Sequence, residues 1–160
     1  MKRFFTRHSM AGLALVLTAM QASADPMPGC YMRIYDEAHL AAQPQQWVEG
    51  ISMWIQPDQI NDFMRAASMS VLKRDAAPTD QILMMAVTCR DGDGGLTICT
   101  SWCGNDAIEI TSSDAQGLTF RTGRFIVSPG AECSGGRDLA EAPGQATAYR
   151  LDKVEDGLCG

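Results

Sequence analysis

His39 follows Asp36 by three residues and Glu37 by two, a spacing from which a carboxylate-assisted general base could be built. Such a base needs a serine or cysteine nucleophile, or a bound water, and the sequence contains no Gly-x-Ser-x-Gly elbow. The plainer reading of one histidine on a short helical turn is a surface or capping residue. Nineteen Asp and Glu residues ensure that some pair falls at a glycosidase separation, so their presence discriminates nothing.

The cysteines offer more. Cys99-Thr-Ser-Trp-Cys103 places three residues between its sulfurs, whereas thioredoxin-like redox sites place two. A zinc site would need a second close pair, and none accompanies the first. Trp102, inside that spacer, joins His39, Asp36 and Glu37 as a candidate functional residue. Cys30, Cys89, Cys99, Cys103, Cys133 and Cys159 make an even set, which in an exported chain reads as three disulfides with fifteen possible connectivities. Cys30 and Cys159 lie near the two ends and are expected to pair. Closing so long a loop would contribute about 4–5 kcal/mol under the chain-entropy model.

Two metal readings are weaker. Asp91-Gly92-Asp93-Gly94-Gly95 starts like a calcium loop, but the fifth and sixth positions are Gly95 and Leu96 and the twelfth is Trp102. It reads better as a hairpin turn, since glycine and aspartate accept positive φ. Met27, Met32, Met53, Met64, Met69, Met84 and Met85 could supply soft copper ligands. They do not cluster with histidine, and adjacent Met84 and Met85 would face opposite sides of a strand. Core filling is the expectation, with no metal and no cofactor.

Lys2, Arg3 and Arg7 precede an apolar run over residues 10–20, and Ala22 and Ala24 stand three and one positions before Asp25. That is the plan of a secretory signal peptide over residues 1–24, too short in its apolar part to span a bilayer. The mature domain would then be residues 25–160. It keeps ten basic against nineteen acidic residues, a formal charge of −9 compared with −6 for the full chain, and His39 as its one histidine. Such a balance excludes a phosphate-binding surface, so nucleic acid is not an expected partner. No later segment is long and apolar enough for a membrane-spanning helix.

The elements that must position these residues are short and rich in alternation. Extended segments are expected over 31–35, 47–55, 69–73, 81–90, 96–102, 107–112, 118–127 and 146–154, with turn residues between them. Asp36 is a good N-cap for a helix that Pro44 limits to about two turns. Gln56-Pro57-Asp58 should end a strand, and Ile60, Phe63, Met64 and Ala67 have the spacing of one or two helical turns. Residues 128–144 read as loose. About eight strands at these spacings predict an all-β domain, an up-and-down antiparallel barrel or a sandwich.

Cys30-Tyr31, Tyr35-Asp36, His39-Leu40, Gly94-Gly95-Leu96 and Cys99-x3-Cys103 together resemble a family of small exported proteobacterial proteins. The similarity touches both halves of the mature chain. The resemblance implies export and carries no activity. Where members have a histidine before the proline near the start, this chain has Gln43 before Pro44, which removes the basis for a two-histidine site.

These observations lead to a non-enzymatic binding or inhibitory module of the cell envelope. Its partner would be a protein, with the acidic surface steering a basic one, or a small apolar ligand. Inhibition of a basic hydrolase such as lysozyme is one concrete form. The competing expectation is a small periplasmic hydrolase built on His39 with Asp36 or Glu37. An enzyme should show His39 in a concave pocket with convergent polar groups; a binding module should show an exposed apolar patch or an open barrel mouth.

Overall fold

The computed structural model describes residues 26, 28–61, 64–77, 81–104, 106–128, 133–142 and 144–159, with backbone only for 58–61. The segment 1–24 expected to be a signal peptide, the expected cleavage residues Ala22, Ala24 and Asp25, and Met27 and Phe63 lie outside them. Eight strands form a closed antiparallel barrel: β1 (Gly29–Ile34), β2 (Val48–Asn61), β3 (Met64–Lys73), β4 (Ile82–Asp91), β5 (Thr97–Ser101), β6 (Ala107–Asp114), β7 (Gly117–Arg124) and β10 (Thr147–Val154). From β1 to β7 each strand pairs with its neighbour in sequence; β10 then pairs with both β7 and β1 and closes the ring. One helix, α1 (Glu37–Ala42), follows β1, and β8 (Ile126–Val127) pairs with β9 (Arg137–Asp138) outside the barrel sheet.

Period-two alternation sends every second side chain inward. Leu83, Met85, Val87 and Cys89 on β4 meet Met53, Ile55, Met69 and Val71 from β2 and β3, and Ile108, Ile110, Leu118, Phe120 and Leu151 from the far wall. Phe120 and Tyr149 stack with centroids 5.2 Å apart. Small barrels of this kind are filled by side chains, and this interior is a packed core.

Three local expectations are corrected. Pro57 does not end the strand, and the helical turns expected from Ile60, Met64 and Ala67 are absent: β2 runs through to Asn61 and β3 begins at Met64. The register shifts between Ile55 and Gln59, so the ladder skips the segment containing Pro57, and Ala67, Met69 and Val71 then follow the two-residue period. The extended segment over 118–127 is also two strands, broken at Phe125, whose N–H turns to Asp138 Oδ1 (2.9 Å).

That break begins a cap over the barrel end that carries α1. Asp138 Oδ1 also accepts from Ala140 N (3.0 Å), and the Asp138 carbonyl accepts from Trp47 Nε1 (2.8 Å). Tyr149 donates its hydroxyl to the Leu139 carbonyl (2.8 Å), and the Arg137 guanidinium lies 4.7 Å over the Trp47 ring. Phe125, Val127 and Leu139 are fully buried beneath these contacts. The stretch that reads as loose in sequence is therefore partly ordered by side-chain to backbone bonds.

Three disulfides hold the frame. Cys30 pairs with Cys159 across 129 positions, as their placement near the chain ends suggests. Cys89–Cys99 joins β4 to β5 inside the barrel, and Cys103–Cys133 ties the β5–β6 turn to the cap. At the opposite end Asp93–Gly95 forms a short 3-10 turn, with Gly94 at φ 73° and Gly95 at φ 77°, the backbone for which glycine is suited.

Candidate functional site

The residues singled out by sequence divide among several places. Asp36 caps α1: its Oδ1 accepts the His39 N–H at 2.7 Å, so the carboxylate serves the helix backbone. The His39 ring stacks on Tyr35 at 4.6 Å, and its Nε2 lies 3.0 Å from Gln46 Oε1. Because Gln46 Nε2 donates to the Val48 carbonyl (2.8 Å), its oxygen faces the imidazole and His39 Nε2 is the donor. Glu37 lines a different pocket, of about 420 Å³, with Tyr35, Leu40, Glu49, Arg74 and Asp75. Trp102 projects from the β5–β6 turn beside Cys103 and is 65% exposed, away from both pockets.

His39 shares a cleft of about 270 Å³ with Arg33, Tyr35, Gln46, Glu141 and Arg150. Arg33 already bonds Asp152 (3.1 Å) and Arg150 reaches Asp114 (3.4 Å), so both cations have carboxylate partners. Burial is the main influence raising the Tyr35 phenol above its ordinary pKa; Arg33 opposes it and Glu141 adds to it. Tyr149 is raised further, again chiefly by burial, with Glu141, Tyr35 and Asp138 reinforcing. No serine, threonine or cysteine lines this cleft among the described residues. The arrangement can orient a polar group through Arg33, His39 and Glu141, but it presents a hydrogen-bonded imidazole without a nucleophile beside it.

Among the described residues no group of three or more His, Cys, Asp or Glu side chains is placed to hold a metal ion. Met53, Met69 and Met85 are core, while Met32 and Met84 lie outside on the barrel wall.

That outer wall carries a feature which no motif in the sequence marks. A groove of about 380 Å³ crosses β1, β2, β3 and β4. The registers place Ile34 opposite Gly50, Gly50 opposite Leu72 and Leu72 opposite Ile82 in one outward row. The adjacent row runs Met32, Ser52, Ser70, Met84. Small residues on β2 and β3 make the floor, and the apolar side chains of β1 and β4 make the walls. A Cβ on Gly50 would fall 2.6 Å from Ile34 Cδ1, so glycine is what lets that wall fold over the floor. Leu158, brought onto β1 by the Cys30–Cys159 bridge, completes one side. Ile34, Ile82, Met84 and Leu158 are 57–63% exposed.

The available signal was residues 82–87, Ile-Leu-Met-Met-Ala-Val, apolar at six consecutive positions. A strand facing water on one side alternates; one that does not has an apolar outer face as well. No family model, no curated protein and no solved structure matches this chain.

Proposed function

We propose that the chain is an exported, non-enzymatic binding module of the cell envelope, and that it holds a protein partner on the outer wall of β1–β4. The observation that carries this reading is the exposed apolar groove on a barrel whose own interior is full. Contiguous exposed apolar surface of this kind marks an interaction site. Three disulfides fit an oxidising compartment. An apolar interior with Glu109, Arg121, Arg150 and Asp152 outside is the reverse of a lipid-facing barrel, which favours a domain working in water. The acid excess favours a basic partner and fast encounter with it.

The test is parallel capture from native envelope extract on immobilised wild-type and Met84→Glu protein, with mass spectrometry of what is retained. A protein held by the wild type and lost from the variant, with unchanged circular dichroism of both, supports the reading; equal retention removes the groove from it. Inhibition of lysozyme is one concrete form, and lysozyme activity unchanged by an equimolar amount of the protein removes that form. A second reading, a small hydrolase using His39, draws on the cleft that His39 shares with Arg33 and Glu141. The Asp36 bond to the helix backbone counts against it. Any hydrolytic activity that survives His39→Ala rules it out.

A further inference from the structure

We infer that the partner is held as an added β-strand: an extended basic segment, apolar at alternate positions, pairs with the backbone of Ile82 and Met84. This rests on the outer wall of β1–β4 being the recognition face, and it specifies the mode of binding there.

The ladder between β4 and β5 stops early. Its last pair is Val87 with Ser101, after which the chain turns away at Trp102 and is tied through Cys103 to Cys133. The first part of β4, from Ile82, pairs with β3 and has no β5 beside it. Which backbone groups face that open side follows from the disulfide next to it. Cys89 and Cys99 are directly opposite with Cα atoms 3.9 Å apart, the close spacing of a non-hydrogen-bonded pair. Thr88 and Arg90 therefore direct their N–H and C=O toward β5, while Leu83, Met85 and Val87 direct theirs toward β3. By the same alternation Ile82 and Met84 point their N–H and C=O past the end of β5. Among the described residues no backbone hydrogen bond outside the ladders reaches either of them, and β8, which passes near β4, pairs with β9 instead.

The two residues with open backbone groups are also the two that wall the groove on its β4 side, 59% and 63% exposed. An extended peptide laid along the β5 side of β4 gains main-chain bonds from Ile82 and Met84 and places its outward side chains against theirs at the rim of the groove, which is how strand addition combines affinity with side-chain selection. A small apolar ligand would use the groove and leave the backbone groups idle.

Charge at the barrel end where β4 begins selects the flank. Beyond Ile34, Gly50 and Leu72 stand Glu37, Glu49 and Asp75, which share one pocket with a single cation, Arg74. Arg74 lies 3.5 Å from Asp75, and no ion pair among the described residues engages Glu37 or Glu49. Carboxylates at the end where β4 begins, with the acid excess of the chain, favour a segment carrying lysine or arginine.

The test uses a dye-labelled octapeptide of alternating lysine and valine, the same peptide N-methylated at alternate amides, and a glutamate–valine counterpart. Fluorescence anisotropy is read with wild-type, Met84→Ala and Met84→Pro protein. Proline at 84 removes the outward N–H and leaves the β3 ladder intact, as edge positions allow. The lysine–valine peptide should bind the wild type. Binding should fall about tenfold on N-methylation, and about tenfold further for Met84→Pro than for Met84→Ala, the worth of one to two backbone hydrogen bonds. Should Met84→Pro not fold, slowed amide exchange of Met84 in the wild type on adding the peptide makes the same test. Equal affinity of parent and N-methylated peptides, or an unchanged exchange rate, overturns strand addition and leaves the groove reading standing. Preference for the glutamate peptide overturns the charge assignment. Absence of binding by every peptide overturns the inference, as does a dimer in sedimentation that Met84→Glu dissolves; the Met84→Glu capture experiment then judges the groove separately.

Discussion

Met84 and Met85 are consecutive residues of one strand in two different media. Met85 is 6% exposed and packs among the side chains that fill the barrel; Met84 is 63% exposed on the outer wall. The same flexible thioether has a full set of protein neighbours in one place and water in the other. Inside, apolar burial is already realised by folding and stabilises the domain. Outside, the equivalent surface of Met32, Ile34, Ile82, Met84 and Leu158 is left unsatisfied in the folded chain, and its burial is available to drive association. The interior explains why the barrel stands, and the outer wall is where binding is proposed.

The contrast can be attacked where the two regions share a part. Cys30–Cys159 closes the chain ends and also holds Leu158 on the groove wall. Replacing both cysteines by alanine should cost about 4–5 kcal/mol in urea unfolding, and should also weaken the binding proposed for the groove. A large stability loss with binding unchanged would separate Leu158 from the recognition face. Met85→Ala should cost about 2–5 kcal/mol, because it opens a cavity in a filled barrel. The cap should respond less and more locally. Asp138→Ala strips acceptors from the Phe125 and Ala140 N–H groups, and an expected loss of about 1–3 kcal/mol should show as faster amide exchange at those two residues, with β2, β3 and β4 unaffected.

A pH experiment reads the interior as a whole. Tyr31, Tyr35 and Tyr149 are the chain's three tyrosines, and in each the proton is held above the ordinary range with burial as the largest cause. A phenol whose folded pKa is raised contributes its full share of stability below the unfolded value of about 10, and loses it as pH rises beyond that point. Phenolate absorbance should therefore stay low through the ordinary tyrosine range and rise together with loss of circular dichroism. Tyr31 or Tyr149 ionising in the ordinary range while the barrel is intact contradicts the sealed interior. The smallest effect belongs to the outer wall: Met84→Ala should move stability by no more than about 0.5 kcal/mol. A cost as large as that of Met85→Ala would mean that the wall is already covered within the folded chain.

Much of the barrel is legible in the sequence because the strands alternate and the turns announce themselves, as at Asp91–Gly95. Pro57 misleads because a bulge is a property of a strand pair, and the partner that tolerates it is in β3. The cap is illegible for a related reason. Its order depends on Asp138 meeting Phe125, Ala140 and Trp47, and Trp47 is 91 positions away. The Asp36 cap could be read locally, but the Gln46 partner of His39 depends on how the chain re-enters at β2. The groove is written in residues 82–87, yet placing Met84 beside Ser70 and Ile34 beside Gly50 requires the registers of three ladders.

The cap contact between Trp47 and Arg137 also makes the molecule its own optical instrument. Its three tryptophans sit in three surroundings: Trp47 buried under a guanidinium, Trp54 half-buried on the outer wall, and Trp102 open to water beside Cys103. Acrylamide should quench Trp102 first and Trp47 last. With Trp54 and Trp102 replaced by phenylalanine, the remaining emission would report the barrel lid by itself, and a red shift that precedes global unfolding would time its opening.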